Sequence, residues 1–345
     1  MSENTKLDSR RLHSLVAPYA QASLRRSLWQ LANTLLPYLA LFILMVYSLN
    51  ISYWLTLLLA IPTAGFAVRA FIIFHDCCHA SFFKSLKANE ILGTFLGVVT
   101  FTPFHRWRHD HAVHHATAGN LDKRGVGDIW TMTVEEYLAA PWWMRLGYRV
   151  MRNPIFLCSI GSVFLFLVIQ RFPPPKAGKE ERLSVLYTDL ALLATFLLLG
   201  MYFGYLQVFL VLVTVLFFSS AAGVWLFYVQ HQFEGTYWEH RERWSFIEAG
   251  MRGSSFYKLP AVLQWFSGNI GFHHIHHLNP KIPNYNLPRC HRDTPAFQVK
   301  PLTIPASLKS ARLHLWDEAN QRLVGWEVLK SPQPVPVRER ETLRR

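Results

Sequence analysis

Apolar residues in this chain gather into long runs, without the intervals of 3.6 or 2 residues that half-buried soluble helices and strands show. Residues 30–48 and 52–73 form two such runs, each close to the about 20 residues that a bilayer crossing needs. Residues 91–104 are apolar but too short to span, which predicts a re-entrant or interfacial helix. A polar stretch rich in His, Trp and charge extends to about residue 150, and three more apolar runs follow at 155–170, 186–203 and 206–228. Residues 303–329 read as an amphipathic surface helix. The organisation expected is a polar N-terminal segment 1–28, one membrane domain over 29–330 and a basic tail 331–345 too polar to order.

Charge decides how these runs thread the bilayer. The formal net charge is +13, and cations on a membrane protein collect in cytoplasmic loops facing anionic lipid. Arg25 and Arg26 precede the first run and Arg69 lies near the end of the second, whereas Leu49-Asn50-Ile51 between them carries no cation. The segment 171–182 holds four cations and two anions, so it too should stay inside. The short run 155–170 must then dip in without crossing, and 186–203 with 206–228 make an out-and-back hairpin that turns at Gly204-Tyr205. The fold class predicted is all-α and integral to the membrane: four transmembrane helices, two short half-membrane helices and a cytoplasmic helical cap. Nucleic acid is the weaker explanation of the charge, because no basic stretch is interleaved with a recognition motif. Four cysteines without a CxxC pair suit a reducing compartment. The N-terminus lacks a signal-peptide core, so the first apolar run serves as the insertion signal.

The placement of sixteen histidines is the informative chemistry. His75 and His79 stand in HDCCH, His111, His114 and His115 in HAVHH, and His273, His276 and His277 in HHIHH. Spacings of i, i+4 and i, i+3, i+4 put imidazoles on one helix face, where they can share a metal. Chance gives about 0.03 HxxHH matches in a chain of this composition, so two matches are not accidental. The predicted topology brings all three clusters to one face of the membrane. Imidazole suits Zn, Cu, Fe and Ni, and eight convergent histidines exceed the capacity of one ion, which implies two. His274 falls about 100° off the ligand face and is expected beside a ligand. Metal-bound imidazoles donate their other N–H to a carboxylate or carbonyl; Asp76, Asp122 and Glu234 are the candidates. His105 and His109 are weaker ligand candidates, and His13, His240, His291 and His314 read as surface residues.

At this point the sequence resembles the membrane fatty acid desaturases of the acyl-lipid type. HDCCH, HAVHH and HHIHH match the three histidine boxes of that family, supported by WRHDH, VQHQFEGTYW, GSSFYKLP and GNIGFHHIHHLNPKIPNYNL, from about residue 70 to 330. The resemblance implies an O2-dependent oxidoreductase with two irons that introduces a cis double bond into a lipid-linked fatty acyl chain. It also implies a ninth ligand, His231. In the stearoyl branch of the family an Asn one turn earlier reaches a metal through water. Phe227 stands there in this chain, and Asn269 is the alternative source of an amide. An apolar tunnel from the membrane would hold the acyl chain.

No GxGxxG and no HPGG segment occurs, so the two electrons of the reaction must come from a separate carrier. A basic face suits an acidic ferredoxin-like, or a cytochrome b5-like, donor. The location expected is a bacterial inner membrane with the catalytic face cytoplasmic. A fatty acyl hydroxylase or ketolase would carry the same boxes. A metal transporter is the alternative of another class, but it would place ionisable groups at mid-membrane.

Overall fold

The computed structural model describes residues 8–330, and the segment 331–345 lies outside them. Asp8 caps α1 (Ser9–Val16) by accepting from Arg11 N at 2.7 Å. α2 (Leu24–Ser48) and α3 (Tyr53–Cys78) form the first hairpin, and Ser52 caps α3 at the turn. Their inner faces bury Tyr38, Phe42, Met45, Ala60 and Ala67, while Leu36, Leu39, Trp54 and Leu58 point outward, as lipid contact requires. At 1.5 Å per residue, α3 is about 39 Å long, ample for a hydrocarbon core of about 30 Å.

α4 (Leu86–Val99) is about 21 Å long by the same rise and stops short of a crossing. The chain reverses through Phe101, at φ 57°, into α5 (Phe104–Thr117), which runs back under the cap. The reversal is tight enough that Gly93 lies against the Phe104 ring and Gly97 against the Thr102 carbonyl. β1 (Met132–Thr133), α6 (Val134–Ala139) and α7 (Trp142–Met151) continue the cap, with a Thr133/Glu136 capping box opening α6.

The next stretch, Pro154–Arg171, is among the described residues one of five helical stretches long and apolar enough to cross a membrane. It is broken rather than straight: α8 (Pro154–Phe156) passes through a π-helical turn, Leu157–Gly161, into α9 (Ser162–Leu167) and a final 3-10 turn. Both of its ends are tied to the histidine-bearing layer. Arg152 donates to Gln232 Oε1 at 2.8 Å, Arg106 to the Ile169 and Phe172 carbonyls, and Arg171 to the Phe101 carbonyl and Asp189. Its middle reaches α11 through a Ser220–Ser162 hydroxyl bond at 3.0 Å. The segment thus begins and ends close to the elements that carry the histidines. Two further apolar helices long enough to cross follow, α10 (Lys179–Phe203) and α11 (Tyr205–His231), joined at Gly204 with φ 93°.

The remaining chain completes the cap: α12 (Phe246–Gly253), β2 (Tyr257–Lys258), α13 (Ala261–Phe266), α14 (His273–Leu278), α15 (Leu287–Asp293), β3 (Leu302–Thr303), α16 (Ile304–Ser307), β4 (Leu315–Asp317) and β5 (Arg322–Val324). β1 pairs parallel with β4, β4 antiparallel with β5, and β2 parallel with β3. Two sequence expectations need correction. Residues 303–329 are not one amphipathic helix. The Asp317–Gln321 turn closes a β4–β5 hairpin that buries Leu315, Trp316 and Leu323, and tertiary burial overrides the helical period. The described part of segment 1–28 is not separate from the cap either. Leu12 and Val16 are buried against Ile275, Leu278 and Ile282 of the third histidine box and the loop after it.

Gly97→Ala should test the α4–α5 reversal. A Cβ there would lie 2.4 Å from the Thr102 carbonyl, so the backbone must move, at about 1–3 kcal/mol. Gly147→Ala in α7 meets nothing within 4 Å and should be neutral or stabilising by up to about 1 kcal/mol. Thermal midpoints of the two purified variants should move apart in those directions.

Candidate metal centre

Four chain segments deliver histidines to one place. The last turn of α3 carries His75, and His79 is its C-cap. α5 contributes His111, His114 and His115, α11 ends on His231, and α14 presents His273, His276 and His277. These nine residues form two groups: His75, His79, His111, His115 and His276 in one, and His114, His231, His273 and His277 in the other. Within each group the candidate ligand atoms lie within 4.8 Å of one another. All are buried except His79, which is partly so. The groups abut, with the His115 and His277 rings stacked at 4.2 Å.

The donor set fits a pair of cations. Nε2 atoms face each other at 3.0–3.1 Å in the pairs His276–His115, His115–His111, His114–His231, His231–His273 and His273–His277. Metal–imidazole bonds of about 2.1 Å at right angles would separate neighbouring nitrogens by about 3 Å. Hydrogen bonds alone cannot account for these chains. A neutral imidazole nitrogen is either a donor or an acceptor, yet His115, His231 and His273 each face two neighbours through one atom. Burial, and then the charges of neighbouring histidines, push His79, His111, His115, His273, His276 and His277 well below the usual imidazole range, so they offer neutral lone pairs.

The outer nitrogens separate the two groups. His114 Nδ1 lies 2.5 Å from Asp128 Oδ1, with both side chains buried, and His231 Nδ1 donates to the Gly253 carbonyl at 3.1 Å. Both bonds belong to the four-histidine group, and each fixes the tautomer that turns Nε2 inward. Sequence reasoning missed Asp128. It lies on a loop fourteen residues after His114, at no helical spacing that would mark it. In the five-histidine group, Asp76 sits beside His75 as expected, but at 3.6 Å it makes no hydrogen bond to it. Its Oδ2 instead accepts from Asn284 N at 2.7 Å and Asn284 Nδ2 at 2.8 Å, which links the first box to the loop after the third.

Other expected neighbours go elsewhere. The Asp122 carboxylate holds His240 Nδ1 and Arg241 N, both at 2.8 Å, and the bond to Asp122 raises the His240 pKa. Glu234 is exposed. Asn269 adopts φ 62° in the turn before α14, and among the described residues no hydrogen bond joins its side chain to a histidine. His274 turns away from the clusters. Its Nε2 donates to the Phe297 carbonyl at 2.9 Å and its ring packs near Phe256 and His291. His105 and His109 lie near Glu90 and Glu181 respectively, outside both groups. His314, expected at the surface, is buried and stacked on Trp326, and burial lowers its pKa to about 4.

Apolar rings line the site. Trp107 stacks on His111 at 4.2 Å, and Phe227 lies 5.3 Å from the His114 ring and 5.4 Å from His231. A cavity of about 340 Å³ lined by Val46, Tyr47, Asn50, Tyr202, Phe203 and Gln207 opens at the opposite ends of the hairpins, so it is not the expected approach to the histidines.

Residues 51–302 match the fatty acid desaturase family. The chain is 47% identical over 322 residues to a fatty acid desaturase of Bacillus subtilis, covering 93% of this chain and 92% of the relative. It is 28% identical over 232 residues to a Synechocystis sn-1 oleoyl-lipid 12-desaturase, covering 64% of this chain and 63% of that protein. It is also 28% identical over 236 residues to a Nostoc sn-1 acyl-lipid omega-3 desaturase (ferredoxin), covering 63% and 61%.

Asp128→Asn should weaken metal binding by about 10–100-fold, as loss of an outer partner to a ligating His does. Metal retained per chain after a graded chelator challenge reads this directly. His274→Ala should keep its metal and lower the unfolding midpoint, because it leaves the Phe297 carbonyl unpaired, at about 1–3 kcal/mol. Metal loss with an unchanged midpoint would return His274 to the site.

Proposed function

Taking as premise that this chain belongs to the fatty acid desaturase family, we propose that it is an O2-dependent di-iron oxidoreductase that introduces a cis double bond into a lipid-linked acyl chain. The observation that supports this most is the division of nine histidines, eight of them buried, into adjoining groups of five and four. Iron at those positions would supply the redox chemistry: with O2, two electrons and two protons, a CH2–CH2 pair becomes CH=CH and two waters leave.

The protein's own part is to orient and to exclude. Asp128 and the Gly253 carbonyl hold His114 and His231 with their Nε2 lone pairs turned inward. The Asp76–Asn284 bonds set α3 against the chain that follows α14, and so set His75 and His79 against His276. Phe227 and Trp107 present apolar surface to an alkyl chain and keep bulk water from the imidazoles. His231 and Phe227, at the cap end of α11, stand where a lipid tail rising from the membrane would meet the cluster.

The electron donor in this reading is a separate acidic carrier of the ferredoxin kind, which the name of the Nostoc relative also carries. The cap faces the cytoplasm of a bacterial inner membrane, because cations gather on the histidine side and the Asn50 and Gly204 turns lack them.

Purified protein should carry two irons per chain. Expressed in a bacterial host that makes no polyunsaturated lipid, it should yield new double bonds by gas chromatography of the acyl chains. His111→Ala and His276→Ala should abolish the product while still inserting in the membrane. A hydroxylated product, or activity with a single zinc, would defeat the assignment. For orientation, a cysteine at Gly178 should be protected from an impermeant label in intact cells and reactive in opened ones; labelling in intact cells would invert the topology.

A further inference from the structure

The helix α7 and its neighbours carry apolar surface that neither the cap core nor the histidine site uses. Trp142 is 70% exposed, Trp143 59% and Leu146 55%, and Leu138 before them and Val150, Met151 and Ile155 after them are also exposed. Trp142, Leu146 and Val150 recur every four residues and so form one stripe, with Trp143 at its side. Arg145 and Arg149 lie along the border of that stripe. The opposite face is committed to the cap. Tyr148 is fully buried, accepts from Met132 N at 3.0 Å and donates to the His314 carbonyl.

Two observations decide what covers the stripe. The first is continuity. α7 ends at Met151, and Pro154 begins the apolar segment that dips into the membrane, so the exposed stripe continues into surface already assigned to lipid. The second is charge. Residues 137–179 contain six Lys or Arg and no Asp or Glu. Arg145 has no carboxylate within 4.0 Å among the described residues. An apolar face with exposed tryptophans and a cationic border is what a helix lying in a membrane interface presents.

We propose that α7 lies in the interface of the leaflet beneath the cap, with Trp142, Trp143, Leu146 and Val150 at the acyl boundary and Arg145 at anionic phosphate groups of the lipid. This seating reaches the metal centre by a short route. Arg152, at the end of α7, holds Gln232, the neighbour of His231, and Gln232 donates to Thr131 Oγ1 at 3.1 Å, beside β1.

The test places a spin label at Leu146→Cys in the full chain with Cys158→Ser, reconstituted in phosphatidylcholine vesicles with and without phosphatidylglycerol. Ala319→Cys, on the exposed β4–β5 turn, is the water-facing control. The ratio of collisions with O2 to collisions with a soluble nickel chelate should be on the order of tenfold higher at 146 than at 319. The ratio at 146 should rise further with phosphatidylglycerol, and Arg145→Gln should remove that rise. Equal ratios at the two positions would put α7 in water and overturn the proposal. Low collision rates with both reagents at 146 would mean that protein, such as a second copy of the chain, covers the stripe. Indifference to phosphatidylglycerol would overturn the role given to Arg145.

Discussion

Nine imidazole nitrogens aimed at two points define what the rest of this structure must do. Each lone pair has been taken out of water, and the lone pairs face one another at about the edge length of a metal's coordination shell rather than bonding among themselves. At His111 and His276 a charged imidazole is disfavoured twice, by burial and by its neighbours. Such an arrangement persists only if the helices carrying it are held from outside. Much of the cap therefore acts as a brace.

The braces are polar and buried. Asp76 and Asn284 join the first box to the loop after the third, and Asn284 Oδ1 in turn accepts from Gln30 of α2 at 2.9 Å. Thr34, one turn on, donates to the Gln30 carbonyl and accepts from Arg69 Nε, so the chain of bonds continues down into the first hairpin. Arg69 ends it, with its guanidinium over the Trp265 ring at 3.9 Å. The four-histidine group is braced separately, by Asp128 and the Gly253 carbonyl. The two halves of the centre thus lean on different parts of the fold.

What was legible in the sequence follows from periodicity. Helical spacing within HAVHH and HHIHH marks histidines that must share a face, and the structure brings those residues together with His75, His79 and His231. Run length likewise marks 91–104 as too short to span, although the helix there is α4, Leu86–Val99. Only the cations of 171–182 set the run 155–170 apart, since Pro154–Arg171 is long enough to cross. Contacts made across the chain leave no such mark. Asp128 lies on a loop and Asn284 opens a short 3-10 turn, Asn284–Asn286, and no period links either to the histidine or carboxylate it holds. His274 has a partner, the Phe297 carbonyl, that is a backbone atom and carries no residue identity. The 303–329 region alternates in a way a helix could use, but burial of Leu315 and Trp316 in succession belongs to a strand covered on both sides.

The packing of α1 against α14 has a consequence for how the molecule is made. Leu12 and Val16 are synthesised about 260 residues ahead of Ile275 and Leu278, with which they share a buried cluster. At 5–20 residues per second, that interval is roughly 13–52 s. Through it these two side chains lack those partners, and six of the nine histidines have been made while the last three do not yet exist. Both halves of the centre include members of the third box, so neither group can assemble until that box has been made. A product that stops before His273 cannot enclose either site in full.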